Sequence, residues 1–198
     1  MHENIEYDIV LPFYQDYEFL ERHIDQINYQ TLLPKRLIFV DDGNKDTELK
    51  DKIESSLNKK INLIFVSFTE NKGVYQATEE GLKYIKSEYF RFNATDDVYY
   101  PDSSKNSLLL LSKYPQTNTV FSNNVSNFYP SNKKIRLNLN FLKKEYYKPT
   151  EVRKIFKNNQ FKIYHNTVFY RSEYFLENHL FKKKFGPRCD MFNLLFFS

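Results

Sequence analysis

The chain has 198 residues, of which 41% are hydrophobic and 27% are charged, and its net charge is +4. This length and composition are typical of one globular domain and exclude a disordered chain. The mild charge gives no argument for nucleic acid as a partner. The single cysteine, Cys189, excludes an internal disulfide, and no apolar run approaches the ~20 residues of a membrane span.

Short apolar strands alternate with helical segments over the first hundred residues. Helical spacing is clear in residues 16–30, where Leu20, Ile24 and Ile27 recur every three or four positions and Asp16 stands at the predicted N-cap. This alternation predicts right-handed crossovers and a mostly parallel sheet with helices on both faces, an α/β fold. The predicted strands are 7–12, 36–42, 61–68 and 89–94, and the predicted helices are 16–30, 46–57, 74–87 and 102–114.

The pattern weakens in the second half, after a further predicted strand at 117–123. Residues 124–162 are basic, rich in Asn and irregular. A strand at 166–171 and the start of a helix at 172–178 follow. The last ten residues, 189–198, have the pattern of an opening helix in which the chain stops, so we expect that more residues follow in a longer protein.

Polar residues stand at the carboxyl ends of the predicted strands. In an open parallel sheet these ends lie on one edge, where ligands bind. The convergence of four loops on one edge therefore predicts a binding site there. The loops contribute Pro12 and Tyr14 after the first strand, Asp41 and Asp42 after the second, Asn71, Lys72 and Gly73 after the third, and Asp96 and Asp97 after the fourth.

The residue types of these loops indicate the ligand. The paired carboxylates of Asp96 and Asp97 suit Mg²⁺ or Mn²⁺, which proteins hold with one or two carboxylates and substrate phosphates. Lys72 beside Gly73, at a helix N-terminus, suits a phosphate, which would meet a positive charge and free backbone N–H groups. Asp41 or Asp42 suits a base N–H or a ribose hydroxyl. These features predict a nucleoside diphosphate bound with a divalent metal.

Two nucleotide-binding folds are excluded by their missing motifs. The chain has no G-x-G-x-x-G, which a dinucleotide-binding fold would need, and no G-x-x-x-x-G-K-[ST] of a P-loop enzyme.

Four segments, in order and at the expected spacing, resemble the motifs of family 2 glycosyltransferases of the GT-A fold. These segments are IVLPFYQDYEFLERHIDQINYQT, IFVDDGNKD, ENKGVYQATEEGL and FNATDDVYYP. The resemblance is close over residues 7–101 and loose over 160–195. It implies a Rossmann-like, mostly parallel sheet, a sugar donor activated by a nucleoside diphosphate, most simply UDP, and transfer to a glycan or lipid-linked acceptor in the synthesis of a surface polysaccharide or glycolipid.

The resemblance also implies roles for particular residues. Asp96 and Asp97 match the end of the family's metal motif, although the first acid of that motif is Ala94 here. In the family the two acids at the Asp41 and Asp42 positions contact the nucleoside, and the sequence leaves open which of them does so. The nucleotide-sugar-binding residues implied by the resemblance are Pro12, Tyr14, Asp41, Asp42, Lys72, Gln76, Thr95 and Asp96.

A later segment, FGPRCDMFNLL, resembles the part of the family in which an acid begins a helix near the acceptor. Inverting members use that acid as general base, which implies this role for Asp190. A carboxylate on the acceptor hydroxyl, with a metal at the departing diphosphate, gives an in-line displacement with inversion.

Structural explanations stand beside these functional ones. Asp96 and Asp97 could form a turn or cap the next helix, Asp41 and Asp42 could end a strand, Lys72 could be a solvated side chain, and Asp190 could be an N-cap. His165 could line the acceptor side, but such a histidine is more often structural.

We expect a single domain over 1–198, with a nucleotide-sugar-binding half at 1–101 and an acceptor-side half at 102–198. The single cysteine and the polar, acidic N-terminus predict a cytoplasmic protein. Residues 133–162 hold ten Lys or Arg against two acids, which predicts peripheral contact with anionic lipid at the inner face of the membrane or with a polyprenyl-diphosphate acceptor. A non-catalytic nucleotide-sugar-binding or scaffold domain is the alternative. A nucleotidyltransferase is disfavoured because LPFYQDYEF lacks a glycine-rich loop.

Overall fold

The fold is taken from a computed structural model of the chain. The structure describes residues 5–122, 125–128, 133–136, 144–159 and 165–177.

The first half alternates strand and helix, as predicted. Seven of the eight predicted boundaries at the starts of these elements lie within one residue of the observed ones; the exception is the second helix, which begins three residues later, at Leu49, after a turn. The elements are β1 (Tyr7–Phe13), α1 (Tyr17–Asn28), β2 (Arg36–Asp41), α2 (Leu49–Ser56), β3 (Asn62–Ser67), α3 (Val74–Leu82), β4 (Tyr89–Phe92) and α4 (Ser103–Lys113).

The second half contains more regular structure than the sequence predicted. Residues 124–162, predicted to be irregular, include a two-stranded antiparallel hairpin and a helix. A 3₁₀ turn at His165–Thr167 leads into the last described strand. The elements are β5 (Thr119–Phe121), β6 (Val125–Phe128), β7 (Lys133–Arg136), α5 (Pro149–Asn159), β8 (Val168–Arg171) and α6 (Ser172–Glu177).

Six strands form one mixed sheet in the order β3-β2-β1-β4-β8-β5. The first four run parallel, with β1 between β2 and β4. Strand β8 is antiparallel to both β4 and β5. The mostly parallel sheet is therefore confirmed, and the carboxyl ends of β1 to β4 lie on one edge.

The two faces of the sheet bury two apolar clusters. The odd-numbered residues of β1, from Tyr7 to Phe13, pack with buried residues of α1, α2 and α4. Val10 faces the other side and packs with residues of α3 and α6. Alternation along a strand covered on both faces explains why YDIVLPF is almost continuously apolar.

Helix α3 lies directly on β1 and β2 because it carries a glycine at the contact. A Cβ added to Gly81 would lie 2.5 Å from Val10 Cγ1 and 3.2 Å from Val40 Cγ2. This close approach sets the distance between the C-terminal end of α3 and the sheet.

Candidate functional site

The loops after β1, β2, β3 and β4 meet at the carboxyl edge of the parallel strands. The backbone ties them together: Asp42 N–H donates to Phe13 C=O at 2.9 Å, Phe68 N–H to Asp41 C=O at 2.9 Å, and Asn93 N–H to Val10 C=O at 3.0 Å. Apart from Asp190, the predicted site residues lie at the carboxyl ends of β1 and β2 (Pro12 and Asp41), on the loops after the strands, or on the first turn of α3.

Asp41 is a buried carboxylate that joins β2, β3 and the turn after β2. Its side chain is 2% exposed. It accepts hydrogen bonds from the Asn44 backbone at 3.0 Å, the Asn44 amide at 2.6 Å and the Ser67 hydroxyl at 2.7 Å. These three donors hold the carboxylate in one orientation at the sheet edge.

Asp42 holds the loop that precedes α3. Its carboxylate accepts from the backbone N–H of Lys72 at 2.7 Å and of Gly73 at 2.9 Å. The N–H groups of Lys72 and Gly73 are therefore not free for a phosphate, because both have an acceptor inside the protein. The carboxylate shapes the loop that we had expected to bind phosphate through its backbone.

The turn at Gly43 brings two of the site loops into backbone contact. Gly43 has φ +82°, and a Cβ there would lie 2.2 Å from the carbonyl carbon of Glu70 and 2.4 Å from the nitrogen of Asn71. Only a residue without a side chain allows this approach. The glycine therefore sets the distance between the loops after β2 and β3.

Several predicted nucleotide-sugar-binding residues present side chains at the surface of this edge. Lys72 is exposed, and its Nζ lies 4.6 Å from the centre of the Phe68 ring. Tyr14 is 39% exposed, and Gln15 donates a hydrogen bond to its hydroxyl. Pro12 and Gln76 are partly buried. An exposed ring and an exposed cation at one sheet edge suit a base and a phosphate.

The acidic loop follows β4. Asp96 is exposed and Asp97 is partly buried, and the Arg22 guanidinium donates to the Asp96 backbone carbonyl at 3.3 Å. Burial raises the pKa of Asp97, hydrogen bonding from the Asn166 side chain opposes that shift, and the Asp96 charge adds to it. Because α4 begins only at Ser103, neither acid caps that helix.

Thr95 and Asp16 connect the acidic loop to the start of α1. Thr95 is 2% exposed, and its hydroxyl donates to the Asp16 carboxylate at 3.1 Å. Asp16 occupies the N-cap position predicted for it, but its side chain makes no capping hydrogen bond. Thr95 is therefore oriented within the protein, and its contact with a nucleotide sugar stays a prediction.

The acidic loop offers two neighbouring carboxylates to a divalent cation. No group of three His, Cys, Asp or Glu residues is placed to bind a metal within the described ranges. Two adjacent acids, one with a raised pKa, supply hard oxygen ligands and a charge repulsion that a cation would relieve. Mg²⁺ or Mn²⁺ bound by one or two carboxylates, substrate phosphates and water matches this donor set.

Beneath this loop lies a buried polar cluster that the sequence analysis did not identify. His23 is fully buried, and its Nε2 lies 3.2 Å from the Asn93 amide nitrogen. Arg91, at 3% exposure, stacks on Tyr99 and donates to the backbone carbonyl of Asn166. The signal available in the sequence was a charged residue inside the apolar strand YFRF.

Other predictions lie outside the described residues. These are Asp190, Cys189, the helix predicted at 189–198, and the His165 side chain. The basic segment 133–162 is described in part. Both of its acids pair with lysines, Glu151 with Lys144 at 2.7 Å and Glu145 with Lys113 at 2.5 Å. In the part of the chain that the structure describes, no helix is long and apolar enough to cross a bilayer.

Solved structures share this fold. The Staphylococcus aureus TarS fragment 1–349 with UDP superposes with a TM-score of 0.72 at 16% identity, covering 95% of this chain and 54% of that fragment. The Pyrobaculum calidifontis mannosyltransferase PcManGT, with GDP-Man and Mn²⁺, gives 0.61 at 14% identity, covering 87% and 46%. At these identities the likeness shows the fold, and it confirms the α/β architecture expected of the GT-A class.

Sequence relatives are named as glycosyltransferases. An uncharacterized glycosyltransferase of Rickettsia bellii is 31% identical over 112 residues, 57% of this chain and 16% of the relative. One from Rickettsia typhi is 30% identical over 112 residues, 57% of this chain and 34% of the relative. The chain thus spans about a third or less of the length of these relatives.

The family itself follows from a match that covers most of the chain. Residues 8–175 match the sequence pattern described as glycosyl transferase family 2. This range runs from β1 into α6 and contains the four loops of the sheet edge. The chain therefore belongs to glycosyl transferase family 2.

Proposed function

We propose that this chain binds a nucleoside-diphosphate sugar at the carboxyl edge of the sheet and transfers the sugar, with UDP as the nucleotide. The observation that carries the proposal is the convergence of the Asp42-held loop, the exposed Lys72 and the acidic pair Asp96–Asp97 on one edge. TarS structures with UDP and with UDP-GlcNAc, which share the fold, support this choice of nucleotide.

In this proposal Asp96 and Asp97 hold Mn²⁺ or Mg²⁺ against the diphosphate. The metal would neutralise charge on the leaving diphosphate. The chain's own groups orient the donor: Lys72 faces the phosphates, and the Tyr14 ring lies beside the nucleoside. Gln76, one turn into α3, faces the same ligand. The PcManGT structure, which contains Mn²⁺ with GDP-Man, supports a metal in this fold.

UDP binding tests the metal role directly. We expect UDP to bind the wild-type protein more tightly in Mn²⁺ than in EDTA, because the cation joins two carboxylates to the diphosphate. Asp97→Ala and Asp96→Ala should each lose most of that gain, while Asp25→Ala, at an exposed position on α1, should keep it. Calorimetry measures the affinities. Equal UDP affinity in Mn²⁺ and EDTA would remove the metal from the proposal.

We keep Asp190 as the proposed general base, by resemblance to the family segment that FGPRCDMFNLL matches. Its carboxylate would take the proton from the acceptor hydroxyl as that oxygen attacks the anomeric carbon, and the bond to the diphosphate would break on the opposite side. The product would have inverted configuration.

Asp190→Asn separates this role from that of a helix cap. The amide is nearly isosteric but cannot accept the proton, so kcat should fall by about a hundredfold or more while UDP affinity stays unchanged. Turnover of the nucleotide sugar and UDP calorimetry on the same preparations measure both. A variant within a few-fold of wild-type kcat would show that Asp190 is not the base.

The proposed acceptor is a glycan or a polyprenyl-diphosphate-linked chain, in surface polysaccharide or glycolipid synthesis. The described part of segment 133–162 supports contact with an anionic surface, because Lys148, Arg153 and Lys154 are exposed on or just before α5. Sedimentation with vesicles of increasing anionic lipid content tests this contact. Binding that does not depend on the anionic lipid content would contradict it.

A non-catalytic nucleotide-sugar-binding domain is the second candidate. Ala94 favours it, because the first acid of the family's metal motif is absent here. Donor hydrolysis and transfer decide between the two: UDP-sugar binding without either reaction, with a panel of acceptors, would support the non-catalytic role.

A further inference from the structure

Arg91 is a buried charge in a strand that would otherwise be apolar. It lies in the middle of β4 and is 3% exposed. Within the described ranges it forms no ion pair, and its Nε has no hydrogen-bond partner. Burying a cation without an ion-pair partner is costly, and a methionine or leucine would fill similar space without that cost.

The contacts of Arg91 lead to one residue of the acidic loop. The guanidinium lies 3.9 Å from the centre of the Tyr99 ring, and Nη2 donates to the Asn166 backbone carbonyl at 2.5 Å. The Tyr99 hydroxyl lies 3.4 Å from Asp97 Oδ2, and the Asn166 side chain hydrogen-bonds the same carboxylate. Arg91 therefore contacts both residues that hold Asp97.

We propose that Arg91 is a positioning residue, which orients Asp97 for the divalent metal and the diphosphate by fixing Tyr99 and Asn166 beneath it. The inference rests on the proposed metal role of Asp97.

A second arginine in the same pair of strands supplies a matched control. Arg171 on β8 pairs with Tyr89 of β4, as Arg91 pairs with Phe169, and each arginine stacks on the ring opposite it. Arg171 also donates to a backbone carbonyl, that of Thr117. Its charge, however, is paired with Glu88 at the opposite end of β4 from the acidic loop.

The test measures UDP affinity in Mn²⁺ and in EDTA, together with the thermal midpoint, for wild type, Arg91→Met, Arg171→Met and Asn166→Ala. Asn166→Ala removes the contact with Asp97 and leaves the backbone carbonyl that Arg91 uses. Groups that orient metal ligands typically contribute about 10–100-fold to metal affinity. We expect Arg91→Met and Asn166→Ala to lower the Mn²⁺-dependent gain in UDP affinity by about that factor, and Arg171→Met to keep it.

A purely structural role predicts a different result. The substitution would then lower the thermal midpoint and weaken UDP binding equally in Mn²⁺ and in EDTA, so the Mn²⁺-dependent gain in UDP affinity would stay unchanged. That outcome in Arg91→Met overturns the inference. An equal loss of the gain in Arg171→Met would overturn it too. If Arg91→Met does not fold, Asn166→Ala decides by the same measurement, the UDP affinity in Mn²⁺ relative to that in EDTA. Absence of any gain in the wild type would overturn the metal proposal, and this inference with it.

Discussion

At the scale of single residues, Asp42 shows how a predicted binding acid is already engaged within the protein. Both of its oxygens accept backbone N–H groups, one from Lys72 and one from Gly73. The sequence identified the acid and its place at a strand end. It could not show these hydrogen bonds, because they join residues 30 positions apart through the geometry of two loops.

Asp42→Asn should lower the free energy of unfolding by about 1–3 kcal/mol, because an amide offers one oxygen to two partly buried N–H donors and leaves one of them unpaired. UDP affinity should fall as well, since the loop that carries Lys72 loses its anchor. Chemical denaturation and calorimetry measure the two effects. Asp25→Asn, at an exposed site on α1, is the control, and equal stability of the two variants would contradict the anchoring role.

The buried polar cluster around Arg91 shows a second limit of predicting the role of single residues from the sequence. A lone arginine within YFRF is as compatible with an edge position as with a buried one. Its burial follows from β8 pairing alongside β4, which places Phe169 opposite Arg91. Nothing near Arg91 in the sequence specifies that neighbour, which is why the cluster was missed and the four polar loops were not.

At the scale of elements, the turn after β2 and the loop after β3 act as one unit because Gly43 lets their backbones touch. Gly73, at the other end of that loop, has φ +89°, but a Cβ added there would meet nothing within 4 Å. The two glycines therefore separate the effect of backbone conformation from that of close packing.

Gly43→Ala should destabilise the protein by at least about 1 kcal/mol more than Gly73→Ala. Both variants bear the cost of a backbone conformation with positive φ, typically about 1–3 kcal/mol, but only Gly43→Ala must also push Glu70 and Asn71 away. Thermal and chemical unfolding of the two variants gives the difference. Equal losses would mean that the loops adjust without cost.

Local patterns predicted most elements correctly, and the exceptions have physical reasons. Strands β1 to β4 are short, apolar and separated by amphipathic helices, so the hydrophobic periodicity and the length of each segment were sufficient to predict them. The hairpin of β6 and β7 was missed because Asn-rich, basic strands carry little apolar alternation. The strand at 166–171 was predicted, but its position between β4 and β5 depends on contacts far away in sequence.

At the scale of the whole molecule, His23 links the stability of the fold to pH. Burial, followed by the nearby charge of Arg91, lowers its pKa from 6.5 to about 4. The folded protein therefore keeps His23 neutral, with Nε2 facing the Asn93 amide, while the unfolded chain takes up a proton below about pH 6.5.

The sign of the effect follows from this difference. Between about pH 6.5 and pH 4 the unfolded state binds more protons, so stability should fall as pH decreases, by up to about 1.4 kcal/mol per pH unit and about 3 kcal/mol in total from this group. Denaturation of wild type and His23→Gln between about pH 4 and pH 6.5 isolates the contribution of His23, because all other titrating groups are the same in the two proteins. Parallel curves for the two proteins would contradict a neutral, buried His23.

The place of β8 has a consequence for the order in which the chain can fold during synthesis. Residues 168–171 form the only described link between β4 and β5, although β5 precedes them by about fifty positions. Until β8 emerges from the ribosome, β4 is an open edge and β5 has no partner in the sheet. Before that point the four parallel strands have a second open edge, at β4, in addition to the one at β3. Pairing of β8 with both β4 and β5 is therefore a late step, and it completes the sheet.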